Sequence, residues 1–280
     1  MQLEKLLIAG PWVGEFGWEL FCWHGYIRAL SRYFDRTVVI SSKNSQFLYE
    51  DFSDQFIAFD PTEGDYKDSY YKVGFKEKPD LWNRFLQEAQ YSKEKEKLTL
   101  FKPRRIGKPP KTHYSEFFKF GPYVIKPEYI KLGKKHKKNN NVIIHARNRS
   151  LRPQDNWSEK KWKKLVDKLT KIGYNIISIG LIKEAMHIEG SKDMRECPQQ
   201  ELLNILRNSL CILGPSSGAM HLASLCGCPQ VVWTTDYNLD RYTKNWNPFD
   251  TPVAFISEYG WQPEPEYVYE SFRRFVSESN

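Results

Sequence analysis

Residues 213–229 read Leu-Gly-Pro-Ser-Ser-Gly-Ala-Met-His-Leu-Ala-Ser-Leu-Cys-Gly-Cys-Pro. The apolar run that leads into them, 211–213, is a buried strand. Glycine, proline and two serines then form a turn, and a helix over 217–226 starts at once and stops at Gly227. A strand passing through such a turn into a helix is the repeating unit of parallel α/β sheets. The first N–H groups of a helix lack partners inside it, and its amino end carries partial positive charge, so phosphate oxygens fit there. Ser216 and Ser217 add hydroxyl groups, and Gly218 lets the backbone approach a ligand. His221, one turn in, faces either the ligand or the sheet. The plainer alternative is a serine that caps the helix and a histidine that fills the core.

Around this turn the chain alternates strand and helix. Residues 142–145 are a strand. Ser158 caps a helix whose apolar face is Trp162, Leu165, Val166 and Leu169, and Gly173 ends it. A strand over 175–179, a helix over 201–206, a strand over 231–233 and a last helix near 265–276 follow. The polar run 132–141 (LGKKHKKNNN) reads as a linker. Before it, 5–9 is a strand closed by Gly10-Pro11, and one helix carries Leu20, Trp23, Ile27 and Leu30 on a single face. Strands at 37–40 and 56–59 complete a β-α-β opening. The signal weakens from 61 to 127, with a helix expected near 80–91 and an irregular basic loop at 102–110.

Two further stretches carry chemistry. His145-Ala-Arg147-Asn-Arg149-Ser-Leu-Arg152 follows a strand directly. Arginines at the carboxyl end of a parallel strand suit a diphosphate clamp, because the guanidinium fork keeps its charge and matches phosphate geometry. The alternative is solvated loop charge. Gly10-Pro-Trp-Val-Gly-Glu15-Phe-Gly-Trp-Glu19 joins the first strand to the first helix. Its glycines allow a tight turn that could pass close to a ligand, with Gly14, Phe16, Gly17 and Trp18 beside it. Glu15 is a candidate general base, with Glu19 and His24 behind it. Glu15 could instead only stabilise the helix start, and the rings of Trp12, Phe16 and Trp18 could simply fill a core.

The signature over 213–233 resembles glycosyltransferase family nine, the heptosyltransferase-like enzymes: strand, Ser216-Ser217-Gly218, His221-Leu-Ala, Gly-x-Pro, strand. Asn156-Trp157-Ser158 with Trp162, and Gln200-Glu201-Leu202-Leu203, are similar to the segments that precede it in that family. The resemblance covers roughly 142–233 and departs at Ser216, where the family usually has aspartate. It implies an α/β fold of the GT-B type, two Rossmann-like domains facing a central cleft. An acceptor-binding domain would span 1–133, a linker 134–141, a nucleotide-sugar-binding domain 142–263 and a terminal helix 264–280. It further implies inverting transfer, with Glu15, which falls where that family carries a catalytic aspartate, as the base for an acceptor hydroxyl. Gly14, Phe16, Gly17 and Trp18 are implied as acceptor contacts, and Glu184 as a contact of the nucleotide ribose. Arg147, Arg149, Arg152, Ser216, Ser217, Gly218 and His221 complete the donor set. A similar His-x-Arg after a strand occurs in fucosyltransferases that use GDP-fucose, so GDP, ADP and UDP donors all stay open.

The 280 residues suffice for two domains, and 40% hydrophobic with 27% charged residues is ordinary for a globular chain. The N-terminal apolar stretch is too short, and Glu4 too acidic, for a signal peptide, so a cytoplasmic location is expected. Five cysteines lack paired spacing and read as reduced thiols. No phosphate-binding GxxxxGK[ST] loop or HExxH occurs, and no DxD pair suggests a divalent metal. Metal-independent transfer with no cofactor beyond the nucleotide-sugar is therefore expected. The acceptor would be a glycan or glycolipid, with contact at a membrane surface left open. The charge of +8 also fits a basic nucleic-acid-binding module. No nucleic acid is expected, because the arginines sit at a strand end and not along a helix face. A nucleotide-sugar epimerase or hydrolase is the rival on the same fold.

Overall fold

The computed structural model of the chain describes residues 2–60, 79–103, 118–133, 139–150 and 152–278. The chain divides into two compact units, Met1–Ile130 and Lys131–Asn280.

The first unit opens with β1 (Glu4–Ala9), α1 (Phe16–Cys22), α2 (His24–Ser31), β2 (Arg36–Ser41) and β3 (Gln55–Ala58). α3 (Pro79–Glu88), β4 (Glu96–Phe101) and the antiparallel pair β5 (Phe118–Phe120) and β6 (Tyr123–Ile125) follow. The sheet order is β3-β2-β1-β4, all parallel. β1 is apolar at successive positions and Leu6, Leu7, Ile8 and Ala9 are all buried, the pattern of a strand covered on both faces. Phe85 of α3 packs with Leu6, Ile8, Val38 and Ile40 on one of those faces.

The single helix expected after the glycine-rich loop is two helices. Trp23 leaves helical geometry (φ −135°, ψ −68°) and separates α1 from α2. Its ring stacks between Trp12 at 5.5 Å and Phe101 at 5.2 Å, so tertiary packing overrides a continuous apolar face. Leu20, Ile27 and Leu30 remain buried as that face requires.

The second unit contains β7 (Asn141–Ile144), α4 (Glu159–Lys171), β8 (Asn175–Ser178), β9 (Lys192–Asp193), α5 (Gln199–Asn208) and β10 (Cys211–Pro215). It ends with α6 (Gly218–Cys226), β11 (Gln230–Trp233), β12 (Val253–Ile256) and α7 (Pro265–Glu278). The parallel sheet runs β12-β11-β10-β7-β8-β9. Strand order therefore reverses between β7 and β10, as it does between β1 and β4 in the first sheet. Such a switch point is where ligands of open α/β sheets bind, beyond the carboxyl ends of the strands. Trp157, Trp162 and Trp233 pack against one another in the core, with ring centroids 4.6–5.4 Å apart.

Ser158 caps α4 by accepting the Lys161 N–H at 3.3 Å. The lysine face of α4 is not left wholly to solvent. Lys161 pairs with Glu264 at 3.0 Å and Lys168 with Glu266 at 2.6 Å, tying α4 to α7. Leu132 and Gly133, at the start of the second unit, both donate their amides to the Leu225 carbonyl. A Cβ at Gly133 would lie 2.2 Å from the Cys226 carbonyl oxygen, so this approach needs glycine. Residues 134–138 of the expected linker and 104–110 of the expected basic loop lie outside the described residues. None of the five cysteines is in a disulfide, and Cys211, Cys226 and Cys228 are buried. Among the described residues no helix is long and apolar enough to cross a membrane.

Candidate functional site

The turn after β10 is braced at nearly every polar atom. The Ser216 amide donates to the Trp233 carbonyl at 3.1 Å, which continues the β10–β11 register past the strand end. Its carbonyl accepts from Arg147 Nη1 at 3.0 Å, and its hydroxyl accepts from the Tyr242 hydroxyl at 3.0 Å. The Ser217 amide donates to the same tyrosine oxygen at 3.2 Å, and Ser217 Oγ lies 2.9 Å from His145 Nδ1. Ser217, Gly218 and Ala219 are half-buried at the start of α6. By helix geometry the N–H groups of Gly218, Ala219 and Met220 have no partner within the helix and point along its positive end; Met220 itself is buried.

His221 is buried. Its ring stacks on Tyr242 at 4.6 Å and meets Trp246 edge-on at 4.5 Å. Burial holds its pKa well below the ordinary value, with Arg241 adding to the effect. Tyr242 comes from a single π-helical turn, Arg241–Asn245. Burial pushes its hydroxyl up to about 12, against the lowering effect of the Ser216 hydrogen bond, so it stays protonated.

The loop after β7 meets this turn at the switch point. His145 is buried and its pKa is lowered to about 4, by burial first and then by Arg147 and Arg149, so the ring is neutral. Arg147 is buried as well. It reaches Ser216, Asn156 Oδ1 at 3.3 Å and Asp155 Oδ2 at 3.4 Å, with its guanidinium 4.8 Å from the Trp261 ring centre. This is a guanidinium that holds two loops together. Arg149 is half-buried, its backbone bracketed by the Asn156 side chain at 3.3 and 2.8 Å. Arg152 is outermost, with a left-handed backbone (φ +56°) and a side chain 53% exposed, 3.8 Å from Asp155.

Glu184 joins this group through its backbone: its carbonyl accepts the Asn148 N–H at 2.7 Å, while Met186 N–H bonds to the Ala146 carbonyl. Glu196 sits beside it, since its amide bonds to the Gly180 carbonyl and its carboxylate accepts the Ile182 N–H. The seven expected donor residues from 147 to 218 thus share one edge of the second sheet, and His221 lies beneath them.

In the first unit, Glu15 is half-buried at the N-cap of α1. Its carbonyl accepts the amides of Trp18 and Glu19 at 3.1 Å, and its side chain does not cap the helix. Gly14 and Gly17 are buried, as are the rings of Trp12 and Trp18; Phe16 is half-buried, 6.5 Å from Phe47. A Cβ at Gly14 would lie 2.8 Å from the Trp12 ring, whose Nε1 donates to the Gly14 carbonyl at 3.1 Å. Glu19 is buried among hydroxyl donors: Ser41, Ser45 at 2.6 Å and Tyr49 at 2.7 Å. Burial raises its pKa to about 6 against those three hydrogen bonds, with Asp60 adding to the rise. His24 is buried, its pKa lowered to about 3 by burial and then by Arg28.

Neither family models nor curated protein sequences match this chain. Its structure is similar over nearly its whole length to several solved ones. The glycosyl transferase family 9 protein of Veillonella parvula DSM 2008 superposes with a TM-score of 0.60 at 10% identity, over 98% of this chain and 97% of that one. Heptosyltransferase WaaC of E. coli, solved with ADP, gives 0.57 at 11% identity over 97% and 99%. ADP-heptose lps heptosyltransferase II of E. coli gives 0.56 at 12% identity over 99% of both chains. The fold is GT-B.

Both switch points of this GT-B chain carry a glycine-containing turn, after β1 and after β10. Two residues that hold the second turn, Tyr242 and His145, were not among those singled out as donor contacts. His145 stood in the quoted motif, but the ring's partner is 72 residues away. Tyr242 follows the last strongly apolar strand by a π turn that has no periodic signal.

Proposed function

We propose that the chain is a glycosyltransferase that moves a sugar from a nucleoside-diphosphate donor to a hydroxyl of a glycan or glycolipid, with inversion and without a divalent metal. The observation that carries this reading is the junction of the two motif loops at the β7–β10 switch point: Arg147 bonds to the Ser216 carbonyl and His145 to the Ser217 hydroxyl. Around that junction Arg149, Arg152 and the first turn of α6 supply positive charge and N–H donors for a diphosphate. As the sugar departs, the leaving diphosphate gains negative charge, and fixed cations are most effective where charge develops. Arg147 keeps those loops in register and adds its charge from below. Glu184 is proposed for the ribose, with Ser216, Ser217 and His221 as the frame of the turn. Glu15 is proposed to take the acceptor's proton, and Gly14, Phe16, Gly17 and Trp18 to shape its surroundings. The likeness to a heptosyltransferase solved with ADP puts ADP first among the donors, with GDP and UDP after it. A cytoplasmic enzyme acting on a glycan precursor, with peripheral contact to a membrane surface, fits this reading.

The test is thermal unfolding with ADP, GDP, UDP and CMP, with and without magnesium, because a ligand that binds only the native state raises apparent stability. The expected result is a rise with one nucleoside diphosphate that does not need magnesium and is reduced in Arg152→Ala. With the matching nucleotide-sugar, Glu15→Gln keeps the rise and loses transfer. No rise with any of them, together with salt-sensitive retention on nucleic acid, overturns the proposal. Release of free sugar, or of an epimer, in place of a glycosylated product assigns the chain to the hydrolase or epimerase class.

A further inference from the structure

Ser158 and Ser217 occupy the same position in their helices and use it differently. Ser158, at the N-cap of α4, accepts a hydrogen bond from the Lys161 amide, as serine usually does there. Ser217, at the N-cap of α6, has a more extended backbone (φ −163°, ψ 169°) than Ser158 (φ −68°, ψ 151°), and its side chain makes no capping bond. Its oxygen is 2.9 Å from His145 Nδ1. The histidine comes from the end of the adjacent strand and has little room to move. It is 7% exposed, and its ring lies so close to Gly180 that a Cβ there would sit 3.1 Å from both Cδ2 and Nε2. The backbone of the serine is held separately, its amide by the Tyr242 oxygen at 3.2 Å and the preceding carbonyl by Arg147 at 3.0 Å.

A capping serine satisfies one first-turn donor with its own oxygen and so competes with any anion for that donor. Resting on the donor reading above, we infer that His145 is a positioning residue of the donor site: it holds the Ser217 hydroxyl away from the end of α6. The N–H groups of Gly218, Ala219 and Met220 are thereby left for an incoming phosphate. The serine is the internal competitor, and the histidine keeps it turned aside.

The test is a mutational cycle read as affinity for a nucleoside diphosphate, measured by calorimetry on the whole chain with ADP, GDP and UDP. His145→Leu frees the hydroxyl to cap, and weakens binding about fivefold, the affinity equivalent of a typical serine cap. In the Ser217→Ala background the same substitution has no hydroxyl to release and changes affinity by less than about twofold, the usual limit of additivity. His145→Gln, whose amide can still engage the hydroxyl, keeps affinity near that of the unmodified chain. Should His145→Leu not fold, His145→Phe carries the same cycle. A loss that persists in the Ser217→Ala background, or no loss with His145→Leu, overturns the inference and leaves the donor reading standing. Absence of diphosphate binding by the unmodified chain overturns the donor reading, and the inference with it.

Discussion

Glu19 is a buried carboxylate of α1 whose side-chain hydrogen-bond partners among the described residues are the hydroxyls of Ser41, Ser45 and Tyr49. Its pKa is raised to about 6, so its contribution to stability is fully present below about 4.5 and is lost as pH rises through 6. Glu19→Gln removes that dependence. The stability difference between the unmodified chain and Glu19→Gln, followed by urea unfolding, should fall with rising pH by on the order of 2 kcal/mol, since one pKa unit is about 1.4 kcal/mol. A difference that stays constant from pH 4.5 to 8 would show that the carboxylate is no harder to ionise here than in the unfolded chain. Residue chemistry of this sort was only partly legible in the sequence. Ser216, Ser217 and the arginines stood out because turn and charge are local signals. The buried role of Arg147 did not, because Ser216, whose carbonyl it holds, lies 69 residues on. Asp155 and Asn156 are near in sequence, but no periodic pattern marks them as its partners.

At the scale of elements, local pattern succeeded where one helix or strand decides its own burial. α4 is the clearest case: its apolar face, its serine cap and its terminating Gly173 (φ +93°) all appear as expected. Ser158→Ala should lower stability by about 1 kcal/mol, seen as a reduced unfolding midpoint, because it removes the acceptor for the Lys161 amide. An unchanged midpoint would mean that solvent replaces the cap at no cost. Pattern failed where a neighbour dictates shape. The break at Trp23 follows from stacking on Trp12 and Phe101, and no count of apolar residues along the helix encodes it. β4 escaped notice because it is an edge strand with mixed exposure, so neither a continuous apolar run nor a strict alternation marks it.

Over the whole molecule, the buried histidines set the response to acid. His24 and His145 have pKa values lowered to about 3 and about 4, and His221 is lowered as well. Each is neutral in the fold and must gain a proton on unfolding below about 6.5, so stability is lost as pH falls from there toward their folded values. For His145 this amounts to on the order of 3 kcal/mol. Glu19 acts in the opposite sense between 4.5 and 6, but one carboxylate does not offset three histidines. The urea midpoint should therefore drop between pH 7 and pH 5, and His145→Gln should drop less. An equal drop in both would assign the acid response to other groups.

The cluster of Trp157, Trp162 and Trp233 gives the chain an optical property of its own. Rings 4.6–5.4 Å apart are close enough for their excited states to mix, so the near-ultraviolet circular dichroism carries bands that belong to the cluster as a unit. Trp157 follows directly on Asn156, whose side chain brackets Arg149. Any shift of that loop changes the tilt of one ring against the other two, and the spectrum reports it without an added label.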